Sequence, residues 1–189
     1  EFLRSWLNWT QITPREMLVP CGRDGHVAFC SKENQTKLFV FGGNSKEGAL
    51  DDVWCFDLNK SEWRRVVGNG APSPRFSCSA ACIGKYAFII GGTDEKTLFD
   101  TVAVFNMESE EWDAWNQVGW PKNGVCRHAC AVVGNQIFLF GGQSKEKKKP
   151  KRIGRFLIGR VTVSKKLVEW ELQDRNGPAA VHRHAMCAN

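Results

Sequence analysis

Apolar residues in this chain gather into short runs that stop at a pair of glycines. Leu38-Phe39-Val40-Phe41-Gly42-Gly43 returns as Ala87-Phe88-Ile89-Ile90-Gly91-Gly92 and again as Ile137-Phe138-Leu139-Phe140-Gly141-Gly142. Runs this short, rich in aromatic and β-branched side chains, predict strands, and no apolar stripe of period 3.6 competes with them. The pairs recur 49 and 50 residues apart. The chain is therefore an array of repeats, each unable to bury its apolar faces without its neighbours.

Laid on one another, the copies share further marks. An aromatic residue stands 13 positions after the second glycine, at Phe56 and Phe105, and a Trp follows seven positions later, at Trp63 and Trp112. The third copy supplies Val163 and Trp170 when eight extra residues are placed after Gly142. Beyond each Trp a polar stretch leads to another short apolar run. Each unit is expected to hold four strands, A to D, at 26–31, 37–42, 52–58 and 62–67 in the first copy. The later copies place them at 78–83, 86–91, 101–106 and 111–116, then at 128–133, 136–141, 157–163 and 167–172. Gly84-Lys85 and Gly134-Asn135 are two-residue hairpin signals between A and B, so the units read as antiparallel meanders. Four strands per unit with Gly and Trp punctuation is the pattern of a β-propeller blade.

The ends fit the same ruler. Trp9 lies 17 residues before His26, against 15 from Trp63 to Cys78 and 16 from Trp112 to His128. Residues 6–12 thus read as strand D of a preceding blade, and 183–189 as strand A of a following one. Three complete blades are expected at 22–67, 76–116 and 127–172, the last with a basic insertion at 143–160. Propellers close with four or more blades, so the rest of the ring is expected from a parent chain or from self-association.

A glycine pair closing strand B, an aromatic in strand C and a Trp opening strand D make the chain resemble the kelch repeat over nearly its whole length. The stretch Gly70-Ala71-Pro72-Ser73-Pro74-Arg75 is closer to the host cell factor and kelch-domain-containing branch than to the BTB-linked branch. Two positions depart from the pattern: Val163, where an aromatic is usual, and Cys78, where the other copies carry His26, His128 and His184. The resemblance implies an all-β propeller segment of four-stranded antiparallel blades. It also implies a non-enzymatic protein-interaction scaffold, since kelch relatives serve as ubiquitin-ligase substrate receptors, actin-binding cytoskeletal proteins and chromatin scaffolds. Gly42, Gly43, Gly91, Gly92, Gly141 and Gly142 are then bends where at least one residue of each pair takes positive φ. Trp9, Trp63, Trp112 and Trp170 are wedges between blades.

Composition changes this picture in one place. The chain has 26 Lys and Arg against 20 Asp and Glu, a net +6. Residues 143–160 hold eight cations (Lys145, Lys147, Lys148, Lys149, Lys151, Arg152, Arg155, Arg160) and one acid, Glu146, so this stretch carries +7 and the remainder −1. The basicity belongs to one insertion. In a meander, B–C turns and D–A links fall on one face of the disc, where this insertion is joined by Arg64, Arg65, Arg75, Arg127 and Arg183. That face is expected to bind a protein partner with an acidic surface or segment, such as actin or an adaptor substrate. Lys147-Lys148-Lys149-Pro150-Lys151-Arg152 also resembles a nuclear-import signal or a phosphate-binding loop, although few aromatics interleave with it, which disfavours single-strand nucleic acid. The expected compartment is the cytoplasm, with the nucleus as alternative.

Candidate chemistry adds no catalytic, metal or cofactor site. The glycine pairs lead into no helix bearing a Lys and a Ser or Thr, so they are not a phosphate cradle. His26, His128 and His184 recur at one point of the repeat, which points to structure rather than ligation. A galactose-oxidase-like copper site needs tyrosines, and the chain has only Tyr86. Eight cysteines lack any Cys-x-x-Cys pair and sit mostly in apolar runs, as reduced core residues do. Sequons at Asn8, Asn34 and Asn59 are close to chance for eleven asparagines. No run approaches the length of a membrane helix.

Overall fold

A computed structural model describes residues 11–13, 18–31, 35–120, 122–146, 149–173 and 179–186. Trp9, Asn8, Asn34, Lys147, Lys148 and Cys187 lie outside the described residues, as do 6–10 of the expected leading strand. The fold is all-β. The first blade orders β1 (Val27–Phe29), β2 (Lys37–Phe41), β5 (Val53–Asp57) and β6 (Glu62–Val66) as an antiparallel meander, with a small hairpin of β3 (Asn44–Ser45) and β4 (Gly48–Ala49) at its B–C turn. The second blade runs β7 (Ser79–Ile83), β8 (Tyr86–Ile90), β9 (Val102–Asn106) and β10 (Glu111–Asp113). The third runs β12 (Ala129–Val133), β13 (Gln136–Phe140), β16 (Phe156–Thr162) and β17 (Leu167–Gln173). No helix among the described residues is long and apolar enough to cross a membrane.

Period-2 alternation in these strands sends side chains to both faces of each blade, and the second blade is covered on both faces by its neighbours. Phe39, Phe41, Val53 and Cys55 of the first blade meet Ala87, Ile89 and Phe105 of the second. Phe88, Ile90, Val102 and Val104 of the second meet Ile137, Leu139, Leu157 and Trp170 of the third. Trp112 is a wedge of the first junction, its ring 5.1 Å from Phe41 and 5.2 Å from Phe105.

Two expectations are corrected by register. Phe56 pairs across from Trp63 and Phe105 from Trp112, but the cross-strand partner of Trp170 is Gly159, not Val163. Val163 instead opens a 3-10 turn, Val163–Lys165, after the strand has ended. The physical reason is steric. A Cβ on Gly159 would meet the Trp170 ring at 2.8 Å, so the indole lies where an aromatic stands in the other blades. The eight extra residues are accordingly not one insertion. Gly142 to Gly159 spans 17 positions against 13, and Gly159 to Trp170 spans 11 against seven, four extra at each place. The first four build β14 (Gln143–Glu146) paired with β15 (Lys149–Arg152); the second four lengthen β16 and β17.

The second correction concerns strand D of the second blade. It ends at Asp113, and Asn116 opens β11 (Asn116–Val118), which runs parallel to β17 on the outer edge of the third blade. Gln117 Nε2 donates to the Val102 carbonyl at 2.7 Å, so this segment straps the second blade to the third.

Each glycine pair is also the junction between blades. Gly42, Gly91 and Gly141 have φ of +64°, +60° and +69°, and Gly43, Gly92 and Gly142 have +102°, +99° and +95°. The second glycine donates its N–H to the next blade: Gly43 to Arg75 O at 2.9 Å, Gly92 to Val125 O at 2.8 Å, Gly142 to Val181 O at 2.7 Å. A Cβ on the first glycine would sit 2.5, 2.2 and 2.6 Å from those same carbonyls. Gly91→Ala is therefore expected to lower stability by at least about 2 kcal/mol, from left-handed strain plus the clash with Val125. Gly134 has φ +57° and no heavy atom within 4 Å of a built Cβ, so Gly134→Ala should cost only about 1 kcal/mol. Equal losses for the two in urea denaturation would refute the junction's steric role.

Candidate functional site

Where the strands A begin, one residue per unit takes a left-handed backbone: Gly25 at φ +60°, Ser77 at +55°, Arg127 at +57° and Arg183 at +56°. They are linked in series. Ser77 N donates to Gly25 O, Arg127 N to Ser77 O and Arg183 N to Arg127 O, at 2.8, 2.8 and 2.9 Å. This string forms the inner rim of the B–C and D–A face. It borders a cleft of about 760 Å³ that is also lined by Asp24, Asn44, Glu95, Lys96, Leu98 and Gln143. A left-handed non-glycine residue costs on the order of 1–3 kcal/mol, a cost the neighbouring contacts offset.

The cations divide sharply. Arg127 lies on the rim and its Nη1 donates to Gln143 Oε1 at 2.6 Å. Gln143 pairs across the β14–β15 hairpin from Arg152, which is exposed. Arg183 is exposed on the same rim. Between them sits His182, with a buried Nδ1 that has no hydrogen-bond partner among the described residues. Desolvation, then the positive field of Arg152, Arg183 and Arg127, pulls the His182 pKa below its ordinary value. Acids on this cleft, Asp24 and Glu95, belong to the first two blades. The backbone of Lys145, Lys149 and Lys151 lies in the hairpin beside this cluster.

Other candidates are used internally. Arg64, expected among the loop-face cations, turns its guanidinium to the opposite side. There it grips Glu110, in the C–D turn of the second blade, with Nη1 at 2.7 Å from Oε2, and Lys37 shares that carboxylate at 3.1 Å. Arg75 is buried. It donates to Ser73 O and Gly91 O at 3.0 Å, reaches Thr101 Oγ1 at 3.3 Å and stacks 4.2 Å from the Phe99 ring centre. Burial pushes its pKa below the usual value, and no partner can reach it. Arg155 lines a small void with Trp120, Val125 and Leu157. Arg65 is exposed at the edge of a second cleft, between the first two blades.

Arg23, which sequence reasoning passed over, has the same place in the first blade as Arg75 in the second. It donates to Gly42 O at 3.0 Å and clasps Asp52, with Nη2 at 2.9 Å from Oδ2. Burial alone would raise the Asp52 pKa, but the bonds from Arg23 and Trp54 Nε1 hold it below the usual value. The signal was available: both arginines stand three residues before the repeat's His or Cys position, and Asp52 and Thr101 stand ten after the first glycine.

With this geometry in view, the comparisons with known proteins are specific. The KLHDC2/KLHL20/DRC7 Kelch-repeats domain matches residues 3–189. The chain belongs to the kelch-repeat family. Adagio-like protein 3 of Oryza sativa subsp. japonica is 31% identical over 133 residues, covering 67% of this chain and 21% of the rice protein. Kelch domain-containing protein 3 of Rattus norvegicus is 27% identical over 150 residues, covering 73% of this chain and 38% of the rat protein. Acyl-CoA-binding domain-containing protein 5 of Arabidopsis thaliana is 34% identical over 100 residues, covering 52% and 15%. The kelch segment thus spans well under half of each of these relatives.

One of the repeat's histidines bonds across a blade junction. His128 is buried, its Nε2 sharing a 2.7 Å hydrogen bond with Ser79 Oγ of the preceding blade. Burial, then the nearby His184, pushes its pKa down to about 3. The unfolded chain takes up this proton near pH 6.5, whereas the fold does not until far lower. Stability is therefore complete above pH 6.5 and is lost as the pH falls from 6.5 towards 3, by about 2 kcal/mol at pH 5. His128→Gln should flatten the dependence of the urea midpoint between pH 7.5 and 5; a slope equal to that of the parent would show that His128 is not the linked group.

Proposed function

We propose that this kelch segment is a non-enzymatic binding module whose B–C and D–A loop face takes an acidic segment of a protein partner. The observation that carries the reading is the grouping of Arg127, Arg152 and Arg183 beside His182 at the edge of the rim cleft, through the Arg127–Gln143 bond, the Gln143–Arg152 pairing and the Arg183 N–H to Arg127 O bond. Two of these arginines hold left-handed backbone where the first blade uses Gly25, so the fold bears strain to keep guanidinium groups at this place. Guanidinium pairs suit carboxylates, which they bind bidentately. Kelch-repeat domains are mostly interaction domains, which agrees with this chemistry. An acidic filament surface such as actin's, or an acidic substrate of a ubiquitin-ligase adaptor in cytoplasm or nucleus, would present the required groups. Because Lys149–Arg152 are strand-paired in β15, this reading places them beside the binding face rather than in an import tail.

A fluorescein-labelled decaglutamate peptide is the probe. The double variant Arg152→Ser/Arg183→Ser should weaken its binding about tenfold at low salt and reduce the dependence on salt. Arg160→Ser should leave both unchanged, since Arg160 is on β16 and paired with Glu171 at 2.7 Å. Unaltered affinity in the double variant would overturn the assignment.

A further inference from the structure

The repeat carries its own template for a second site. Gly70-Ala71-Pro72 follows Trp63 at the same spacing as Gly119-Trp120-Pro121 follows Trp112, and both glycines have φ +78°. The two links therefore cross onto the next blade alike. A Cβ on Gly70 would face the Trp112 side chain, and one on Gly119 would meet the Trp170 backbone. The following residue lands over the wedge tryptophan of that next blade. Between the second and third blades this residue is Trp120, whose ring lies 4.7 Å from Trp170 in an edge-to-face pair. Between the first and second blades it is Ala71, and an open cleft of about 330 Å³ remains.

The consequence is visible in the wedges themselves. Trp170 is 6% exposed, whereas Trp112 is only half-buried. The cleft has an aromatic floor of Trp112 and Phe105, apolar walls of Val53 and Val66, and Asp51 and Arg65 at its edge. Val67 stands at its mouth, 95% exposed.

We propose that this cleft is a docking pocket for one aromatic side chain, a Trp foremost, presented by an extended segment of a protein partner. The ring takes the place that Trp120 fills in the next junction and stacks edge-to-face on Trp112. Asp51 at the edge offers an acceptor for the indole N–H. The site is separate from the arginine cluster, so it stands or falls independently of the acidic-partner reading.

The probe is N-acetyl-tryptophanamide, followed by saturation-transfer NMR on the whole chain. The parent should bind it with a millimolar dissociation constant, more tightly than N-acetyl-leucinamide. Ala71→Trp, which supplies the missing ring internally, should weaken binding at least tenfold and leave or raise the thermal midpoint. Val67→Lys at the mouth, a surface change that preserves the fold, should weaken it at least threefold. Absence of saturation transfer in the parent, or equal transfer in the parent and both variants, would overturn the proposal.

Discussion

The structure depends on one short-range constraint: a blade's glycine pair must turn left-handed while the next blade's carbonyl presses against it. The contact serves two needs at once. The second glycine's N–H would otherwise be left without a partner as strand B ends, and the next blade's entering carbonyl needs a donor. Only a residue without Cβ permits the approach, because the first glycine's hydrogen faces that oxygen at a distance no methyl could occupy. Three such junctions set the spacing of the blades. That spacing decides which apolar faces meet and where the inner rim runs.

Around this fixed frame the copies differ, and the differences are informative. The first blade fills the place beside its glycine pair with the ion pair Arg23–Asp52. The second keeps the arginine but offers Thr101, so Arg75 relies on carbonyls and the Phe99 ring. In the third, Val125 stands at the arginine's place and Arg155 at the aspartate's, so the cation now lies across the site. Each solution avoids a buried charge without hydrogen-bond partners, which a chain of this size could ill tolerate. The link residue over the wedge tryptophan varies in the same manner, from Ala71 to Trp120, and one substitution separates a filled junction from an open one.

Much of this fold is legible in the sequence. Glycine pairs, wedge tryptophans and alternating runs point to the all-β class and to the four main strands of each blade, because these signals are local and are repeated three times. They do not point to the hairpins β3–β4 and β14–β15. Legibility failed where local spacing was ambiguous. Counting residues from Gly142 assigned Val163 to strand C, because a count cannot divide eight extra residues between two places; the cross-strand pairing of Gly159 with Trp170 could. The parallel strand β11 was invisible for a similar reason. Residues 116–118 have no strong strand pattern and pair only because the edge of β17 lies beside them.

The candidate site divides in the same way. By itself the chain determined its repeat period, its fold class and the gathering of cations into one segment, since these depend on residue types and their order. Tertiary structure alone decided which cations share a surface. It sent Arg64 to Glu110 on the far side, buried Arg75, and brought Arg127, Arg152 and Arg183 together around His182 from segments up to 56 residues apart. Composition records how many charges a chain holds. Where each of them points is set by backbone turns and blade contacts that no single stretch of sequence contains.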